Sequence, residues 1–392
     1  MSLKIAFVTP YYDSRDIRRG SGTFFYMSRE LERQGCELSY FGPVAFREPM
    51  VVRPLRAFAK RVQKGRYLTY LDPAVARALG KELSSQLGGS SFDMVLTNDP
   101  GVAAGLDVPF PIVYYSDVML PASARASDLR EMVAYRQVPL WALRRYQKTM
   151  RRCLERSALA VFPAEWQVEQ ARGYGVAPEK LHLVYFGANI PDPGPEVAEQ
   201  RDFNLNAQQR KVNLLFVGKD WEGKGGSVAV EIATELNNRG IKSHLHIVGV
   251  DFSDRIKADF IHFYGLLNKD VQSERNQLEA LYRSCDVLVV PSKAEGYGLV
   301  FVEAAAYGLP SLAYDTTGVK TSVKNRTSGI LLNPEASPKD FSEVILDWLN
   351  NPDTYQRFCH GARAFYETNA NWAVSVRKLI EVLKSIFKSV SE

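Results

Sequence analysis

Cysteine is scarce in this 392-residue chain. The four present, Cys36, Cys153, Cys285 and Cys359, lie far apart and form no CxxC pair. This excludes a disulfide scaffold or a zinc ribbon and fits free thiols in a reducing compartment. No stretch reaches 18 apolar residues without a charge, so no membrane span is expected. The chain opens MSLKIAFVTP, straight into strand-like residues with no charged n-region or apolar h-region, and the expectation is a cytoplasmic protein. A complete GxGxxG is lacking, as is a complete GxxxxGK(S/T), which disfavours a nicotinamide site and triphosphate hydrolysis. A strong charge bias is lacking too. The net charge of +5 and pI near 8.8 suit an anionic ligand or surface, but are too weak to argue for nucleic acid.

What is present is the composition of a globular protein, 46% hydrophobic and 24% charged, in a chain long enough for two domains. Apolar strand candidates alternate with helices throughout: Lys4 to Thr9, a helix from Thr23 to Gln34 capped by Ser21 or Thr23 and ended by Gly35, then strands at Phe92 to Thr97, Pro111 to Ser116 and Leu159 to Phe162. A helix near Trp166 to Tyr174 leads to a strand at Leu181 to Tyr185. The segment PDPGPEVAEQRDFNLNAQQR, residues 191 to 210, is polar, proline-bearing and aperiodic, and reads as a linker. A second strand, loop and helix follow it: VNLLFV, GKDWEGKGG, SVAVEIATELNNRG. The fold class expected is therefore α/β, with two Rossmann-like doubly wound domains facing across a cleft. Their bounds are 1–190 and 211–370, and an amphipathic helix at 371–392 is expected to return to the first domain.

The most informative stretch is DVLVVPSKAEGYGLVFVEAAAYGLPS, residues 286 to 311. A buried strand, Val287 to Val290, runs into a loop holding Glu295 and Gly296. A helix of about Gly298 to Tyr307 follows, closed by Gly308 and stopped by Pro310. The first helix amides, near Tyr297 to Leu299, favour an anion. At about 1.5 Å per residue, roughly 7 Å separates them from Glu303. A phosphate flanked by hydroxyl-bearing groups fits that arrangement, as in a sugar nucleotide. Lys219 and Lys224, around the GKDWEGKGG turn, add two ammonium groups and read as a diphosphate cradle. In the first half, Gly22 in the loop before the first helix is a candidate phosphate contact. Asp99 and Asp117, in loops after strands, are site candidates or helix caps. Residues 51 to 70 and 141 to 156 carry six Lys or Arg each, and either segment suits a solvated face, an acidic acceptor or peripheral contact with an anionic membrane.

PSKAEGYGLVFVEAAAYGLP resembles the Glu-x7-Glu signature of retaining glycosyltransferases of family 4, the GT-B group 1 enzymes acting on nucleotide-activated sugars. GKDWEGKGG resembles that family's phosphate-binding turn, with Lys219 and Lys224 at the matching positions. RRGSGTFFYMSRELERQGCEL and FPAEWQVEQARGYGVAPEKLHLVYFGANI resemble its N-terminal glycine loop and the segment before its linker. The resemblance implies a retaining transfer of a hexose-type sugar from a nucleoside diphosphate sugar, UDP- or GDP-linked, to an unidentified sugar, lipid-linked or small-molecule acceptor. It implies Glu295 on the donor sugar, Glu303 on the ribose hydroxyls, and amides of Gly296, Tyr297, Gly298, Leu299 and Gly22 on the diphosphate. No strand-ending DxD motif is found, so no metal and no further cofactor are expected.

Many members of the family carry a His-Asp pair at the end of a first-domain strand. Here Ser116-Asp117 occupies the corresponding place, so Asp117 becomes the catalytic candidate of that domain, beside Glu295 in the other. The alternatives are an epimerase or phosphorylase-like enzyme of the same fold, or a non-catalytic nucleotide-sugar-binding subunit.

Overall fold

The computed structural model describes residues 2–122, 135, 137–201, 209 and 211–388. It forms two compact units, Met1–Tyr185 with Ser375–Glu392, and Phe186–Val374.

The first unit opens with β1 (Lys4–Val8), α1 (Thr23–Arg33), β2 (Glu37–Phe41), α2 (Val52–Gln63), α3 (Pro73–Leu87) and β3 (Met94–Thr97). It continues with α4 (Pro100–Gly105), β4 (Ile112–Tyr115), α5 (Leu140–Arg156), β5 (Leu159–Phe162), α6 (Glu165–Gly173) and β6 (Leu181–Leu183). Its sheet runs β2-β1-β3-β4-β5-β6, every pair parallel. Both faces of a parallel sheet are covered, so its strands are apolar runs: Ile5, Ala6, Phe7 and Val8 are all at most 1% exposed. α1 differs from its expected cap. Neither Ser21 nor Thr23 caps it; the N-cap is Gly22 in the left-handed region at φ 84°, without a side-chain bond. Asp99 is a helix cap: its carboxylate accepts from the Val102 amide at 2.9 Å at the start of α4.

The second unit holds β7 (Lys211–Val217), α7 (Gly226–Asn238), β8 (Lys242–Val248), β9 (Ile261–Phe263), α8 (Gln272–Ser284) and β10 (Val287–Val289). Then come α9 (Leu299–Ala306), β11 (Ser311–Tyr314), α10 (Val319–Ser322), β12 (Gly329–Leu332), α11 (Pro338–Asn350) and α12 (Pro352–Phe365). The last helix, α13 (Trp372–Lys388), begins in this unit and continues into the first. The expected helix runs to 392, and its residues 389–392 lie outside the described residues. The second sheet runs β12-β11-β10-β7-β8-β9, again all parallel.

The stretch expected as a linker is anchored where it is described. Val197 and Ala198 are buried, and Arg201, 8% exposed, donates to the carbonyls of Tyr307 at 2.8 Å, Cys285 at 2.6 Å and Tyr282 at 2.5 Å. One guanidinium thus satisfies carbonyls at the C-terminal ends of α8 and α9, where helices leave acceptors without partners. Residues 202–208 and 210 of that stretch lie outside the described residues. All four cysteines are buried and free. No helix among the described residues is long and apolar enough to cross a membrane.

Candidate functional site

Strand order places the site of the second unit. The chain leaves β7 toward β8 on one side and returns to β10 on the other, so the loops after β7 and β10 diverge from a shared switch point. Ligands of doubly wound sheets bind there, beyond the carboxyl ends of the strands. The first loop carries Lys219 and Lys224; the second carries Glu295 and leads into α9 with Glu303. The loops are joined directly, the Lys293 amide donating to the Gly223 carbonyl at 3.1 Å. Gly225 fits at φ 74° because a Cβ there would stand 2.3 Å from the Pro291 carbonyl oxygen.

Glu295 is 8% exposed and held from several sides. Its carboxylate forms an ion pair with Lys224 and accepts from the Ser292 hydroxyl at 2.7 Å. Its backbone is clamped by Thr317: the Glu295 amide donates to Oγ1 at 2.9 Å, and that hydroxyl donates to the Glu295 carbonyl at 2.9 Å. The Gly318 amide adds a bond to the same carbonyl at 3.1 Å. A carboxylate this buried needs a counter-charge, and Lys224 supplies it. Of the two expected cradle lysines, then, Lys224 is engaged with Glu295, while Lys219 is exposed and forms no ion pair with a described residue.

The turn amides also differ from expectation. Gly223 donates to the Asp220 carboxylate at 3.2 Å, Lys224 to the Asp220 carbonyl at 2.9 Å, and Gly226 to the Trp221 carbonyl at 2.8 Å. The later amides of the turn, from Gly223 to Gly226, are thus spent within it, and the lysine side chains are its charged groups for an anion.

Glu303 repeats the arrangement. It is 4% exposed, ion-paired with Lys269, and accepts from the Tyr282 hydroxyl at 2.9 Å. Burial, and then the Glu303 charge, push the Tyr282 phenol well above its ordinary range, so it remains a donor. Tyr282 also stacks on Tyr307 with centroids 5.6 Å apart. Lys269 is positioned by α8, where Arg275 donates to its carbonyl at 3.0 Å and the Glu274 carboxylate accepts from the Asn268 amide at 2.6 Å.

Between the two carboxylates lies the start of α9. Gly298 caps it at φ 90°, where a Cβ would meet Phe301 at 2.7 Å. The amides of Gly298 and Leu299 donate to no described residue. The Tyr297 side chain is structural: it is 1% exposed, and its hydroxyl donates to the Phe186 carbonyl at 3.0 Å. Glu295, Lys224, Gly296, Gly298, Leu299 and Glu303 are thus assembled by two loops and one helix. Lys269, Tyr282, Ser292 and Thr317 are the partners that sequence reasoning missed. Tyr282 is legible only as part of the buried stripe Leu278, Leu281, Tyr282; the others carry no local signal.

In the first unit the switch point lies between β1 and β3. The loop after β1 brings Tyr12 to Asn98, whose amide donates to the Tyr12 hydroxyl at 3.0 Å. Asn98 Oδ1 is buried and accepts no hydrogen bond from a described residue. Burial raises the Asp99 carboxyl to about 7, and burial, followed by the charges of Asp99 and Asp117, pushes Tyr70 up to about 12. Asp117 is exposed after β4 and is followed by irregular chain, so the helix-cap reading fails for it. Its carbonyl accepts from the Gln167 side chain at 2.7 Å. Gly22 does not offer a spare donor: its amide is bonded to the Arg19 carbonyl at 2.9 Å. That bond closes the short turn preceding α1, a constraint invisible in the glycine spacing.

Family models match both halves of the chain. Residues 22–190 match "Glycosyltransferase Family 4" and residues 197–365 match "Glycosyl transferases group 1". D-inositol 3-phosphate glycosyltransferase 1 of Catenulispora acidiphila is 28% identical over 236 residues, 54% of this chain and 53% of that protein. The matched region thus spans about half the length of this relative. Among solved structures, WaaG, a glycosyltransferase involved in lipopolysaccharide biosynthesis, superposes with a TM-score of 0.63 at 18% identity, over 96% of this chain and 99% of that one. Anabaena HepE in complex with UDP-glucose gives 0.61 at 14% identity, over 98% of this chain and 100% of that one. Sucrose-phosphate synthase from Thermosynechococcus elongatus gives 0.70 at 15% identity, over 99% and 100%. With the two parallel six-stranded sheets, these likenesses establish the GT-B fold. The two family models between them cover most of the chain, which belongs to the group 1 glycosyltransferases of family 4.

Proposed function

We propose that the protein is a retaining, metal-independent glycosyltransferase that moves a hexose-type sugar from a nucleoside diphosphate sugar to an acceptor hydroxyl. The observation that carries this reading is the pair of buried, lysine-matched carboxylates, Glu295 and Glu303, on either side of the α9 start. Carboxylates accept from vicinal hydroxyls, and lysines and helix amides favour phosphate. Glu295 then takes the sugar hydroxyls and Glu303 the ribose diol, with Lys224, Lys219 and the Gly298 and Leu299 amides on the diphosphate. Lys224 is held by Glu295 without donor and turns to the diphosphate when donor enters. UDP is the favoured nucleotide of the donor, supported by the UDP-glucose complex of HepE.

In the transfer, the acceptor oxygen bonds to the anomeric carbon as that carbon's bond to the leaving phosphate oxygen breaks. The acceptor proton passes to the departing phosphate. Preorganised cations stabilise the charge growing on that group. Asp117, Asn98 and Tyr12 supply the polar groups for an acceptor in the first unit.

Calorimetry with UDP, GDP and UDP-glucose tests the donor assignment. Glu303→Ala and Lys224→Ala are each expected to weaken UDP binding by 10-fold or more, since a lost charged hydrogen bond is worth about 1.5–3 kcal/mol. Unchanged affinity in both variants refutes the assignment. Asp117→Asn, assayed with a panel of acceptors and UDP-glucose, tests the catalytic candidate: transfer is expected to fall with UDP affinity unchanged.

A further inference from the structure

We propose that α2 and the turn after it form a docking site for an anionic lipid surface, with a pocket for phosphate headgroups. α2 presents three distinct faces. Val52 and Ala59 are buried and fix the helix to the first unit. A cationic row, Arg53, Arg56, Lys60 and Lys64, follows at helical spacing. Beside it runs an apolar row, Val51, Pro54 and Phe58, in which Val51 and Phe58 are each 47% exposed; Met50, just before it, is 81% exposed. Apolar residues left in water along one helix face, flanked by a cationic row, match the interfacial boundary of a bilayer.

The pocket lies at the end of this helix. Arg56, Lys60, Lys64, Gly65, Arg66 and Tyr67 line a cavity of about 540 Å³. Arg53 and Arg56 lean toward Glu48, at 3.8 Å and 3.0 Å, but Lys60, Arg61, Lys64 and Arg66 form no ion pair with a described residue. The walls are braced. The Arg66 amide donates to the Gln137 carbonyl at 2.8 Å, Tyr67 stacks on Trp141 at 5.6 Å, and Phe58 packs against Trp141 at 5.9 Å. Cations held around an open cavity beside exposed apolar side chains fit a phosphate that arrives with a hydrocarbon interface.

The structure separates the two basic helices that look alike in sequence. In α5, Arg145 is paired with Asp72, Arg152 and Arg156 donate to the carbonyls of Ala104 and Leu106, and Arg151 lies 5.5 Å over the Tyr174 ring. Those charges brace the fold. The docking charge therefore resides in α2 and the turn, independently of the donor reading.

Flotation of the full-length protein with vesicles tests this. Binding is expected to phosphatidylcholine vesicles containing phosphatidylglycerol, with little to phosphatidylcholine alone, and release at high salt. Each surface cation is worth about five-fold in partitioning, so Lys60→Glu/Lys64→Glu/Arg66→Glu is expected to lose on the order of 100-fold or more. Phe58→Ser is expected to weaken binding without altering its salt dependence. Arg144→Glu/Lys148→Glu, on α5, is the control and is expected to bind as the parent does. Circular dichroism and UDP calorimetry verify that each variant is folded. Equal binding to neutral vesicles, or loss in the α5 variant but not the α2 variant, overturns the proposal. So does protection by inorganic phosphate with no vesicle binding, which assigns the pocket to a free anion.

Discussion

Removing Lys269 probes the least expected member of the proposed donor site. Its ammonium is the charge partner of Glu303, and their side chains are 21% and 6% exposed. Lys269→Met keeps most of the stem's apolar contact but leaves a buried carboxylate with the Tyr282 hydroxyl as its remaining side-chain donor among the described residues. Breaking a buried pair from one side costs about 3–5 kcal/mol. The one-fifth exposure of Lys269 and the surviving Tyr282 bond put this case at the lower end, about 3 kcal/mol. Glu303→Gln keeps a group that accepts from Tyr282 and leaves an ammonium able to reach water, at a cost of about 1 kcal/mol. In the double variant the buried charge is gone, and the expected cost is about 2 kcal/mol, below the sum of the singles. The coupling is then about 2 kcal/mol. Because the two units need not unfold together, the readout is native-state hydrogen exchange of peptides covering α8 and α9. A loss under about 0.5 kcal/mol in Lys269→Met, or an additive cycle, refutes the claim that Glu303 depends on this lysine.

Arg201→Ala strands three carbonyls at the ends of α8 and α9, and at about 1–3 kcal/mol for each unsatisfied group the loss is at least 3 kcal/mol, read as a fall in the unfolding midpoint of the second unit. Asp99 has its carboxyl raised to about 7 by burial, so the folded chain holds a proton there that the unfolded chain releases near its ordinary value; stability falls as pH rises from about 4 to 7. Asp99→Asn keeps a capping side chain and is expected to flatten that decline, raising the melting temperature at pH 8 more than at pH 5; equal shifts refute it. His246 is pulled down to about 4 by burial and then by the neighbouring His262, His244 and Lys211, so the unfolded chain binds the proton first and stability falls on acidification between about 6.5 and 4; His246→Gln is expected to lessen the fall in acid melts.

Much of the fold was legible in residue order. The buried runs at Lys4, Val212 and Val287, the glycine turns and the Glu295/Glu303 spacing pointed to two α/β halves and to the core of the proposed donor site, because each is a local pattern with a local cause. Where the reading went astray, the cause was nonlocal. The Lys219 and Lys224 pair looked equivalent, but a buried carboxylate from another loop claims Lys224. Gly22 is the local exception: the Arg19 carbonyl, three residues back, takes its amide in a turn that the glycine spacing does not reveal. The anchoring of the linker stretch was not legible because the carbonyls that Arg201 reaches, on Tyr282, Cys285 and Tyr307, lie far along the chain. The two basic segments carry equal numbers of Lys and Arg, yet four arginines of α5, Arg145, Arg151, Arg152 and Arg156, are turned onto carbonyls, a carboxylate and a ring of the first unit.

The sequence by itself determined the alternation of strands and helices, the apolar strands of parallel sheets, and the carboxylates and lysines available near a helix start. These follow from periodicity, turn chemistry and side-chain type, which act over a few residues. Only the tertiary structure decided which lysine serves which carboxylate. Lys269 and Glu303 are 34 positions apart, and Lys224 and Glu295 are 71 apart. Lys224 meets Glu295 because strand order brings the ends of β7 and β10 together, Lys269 meets Glu303 from the segment between β9 and α8, and in both cases a buried charge needs a partner wherever along the chain that partner lies.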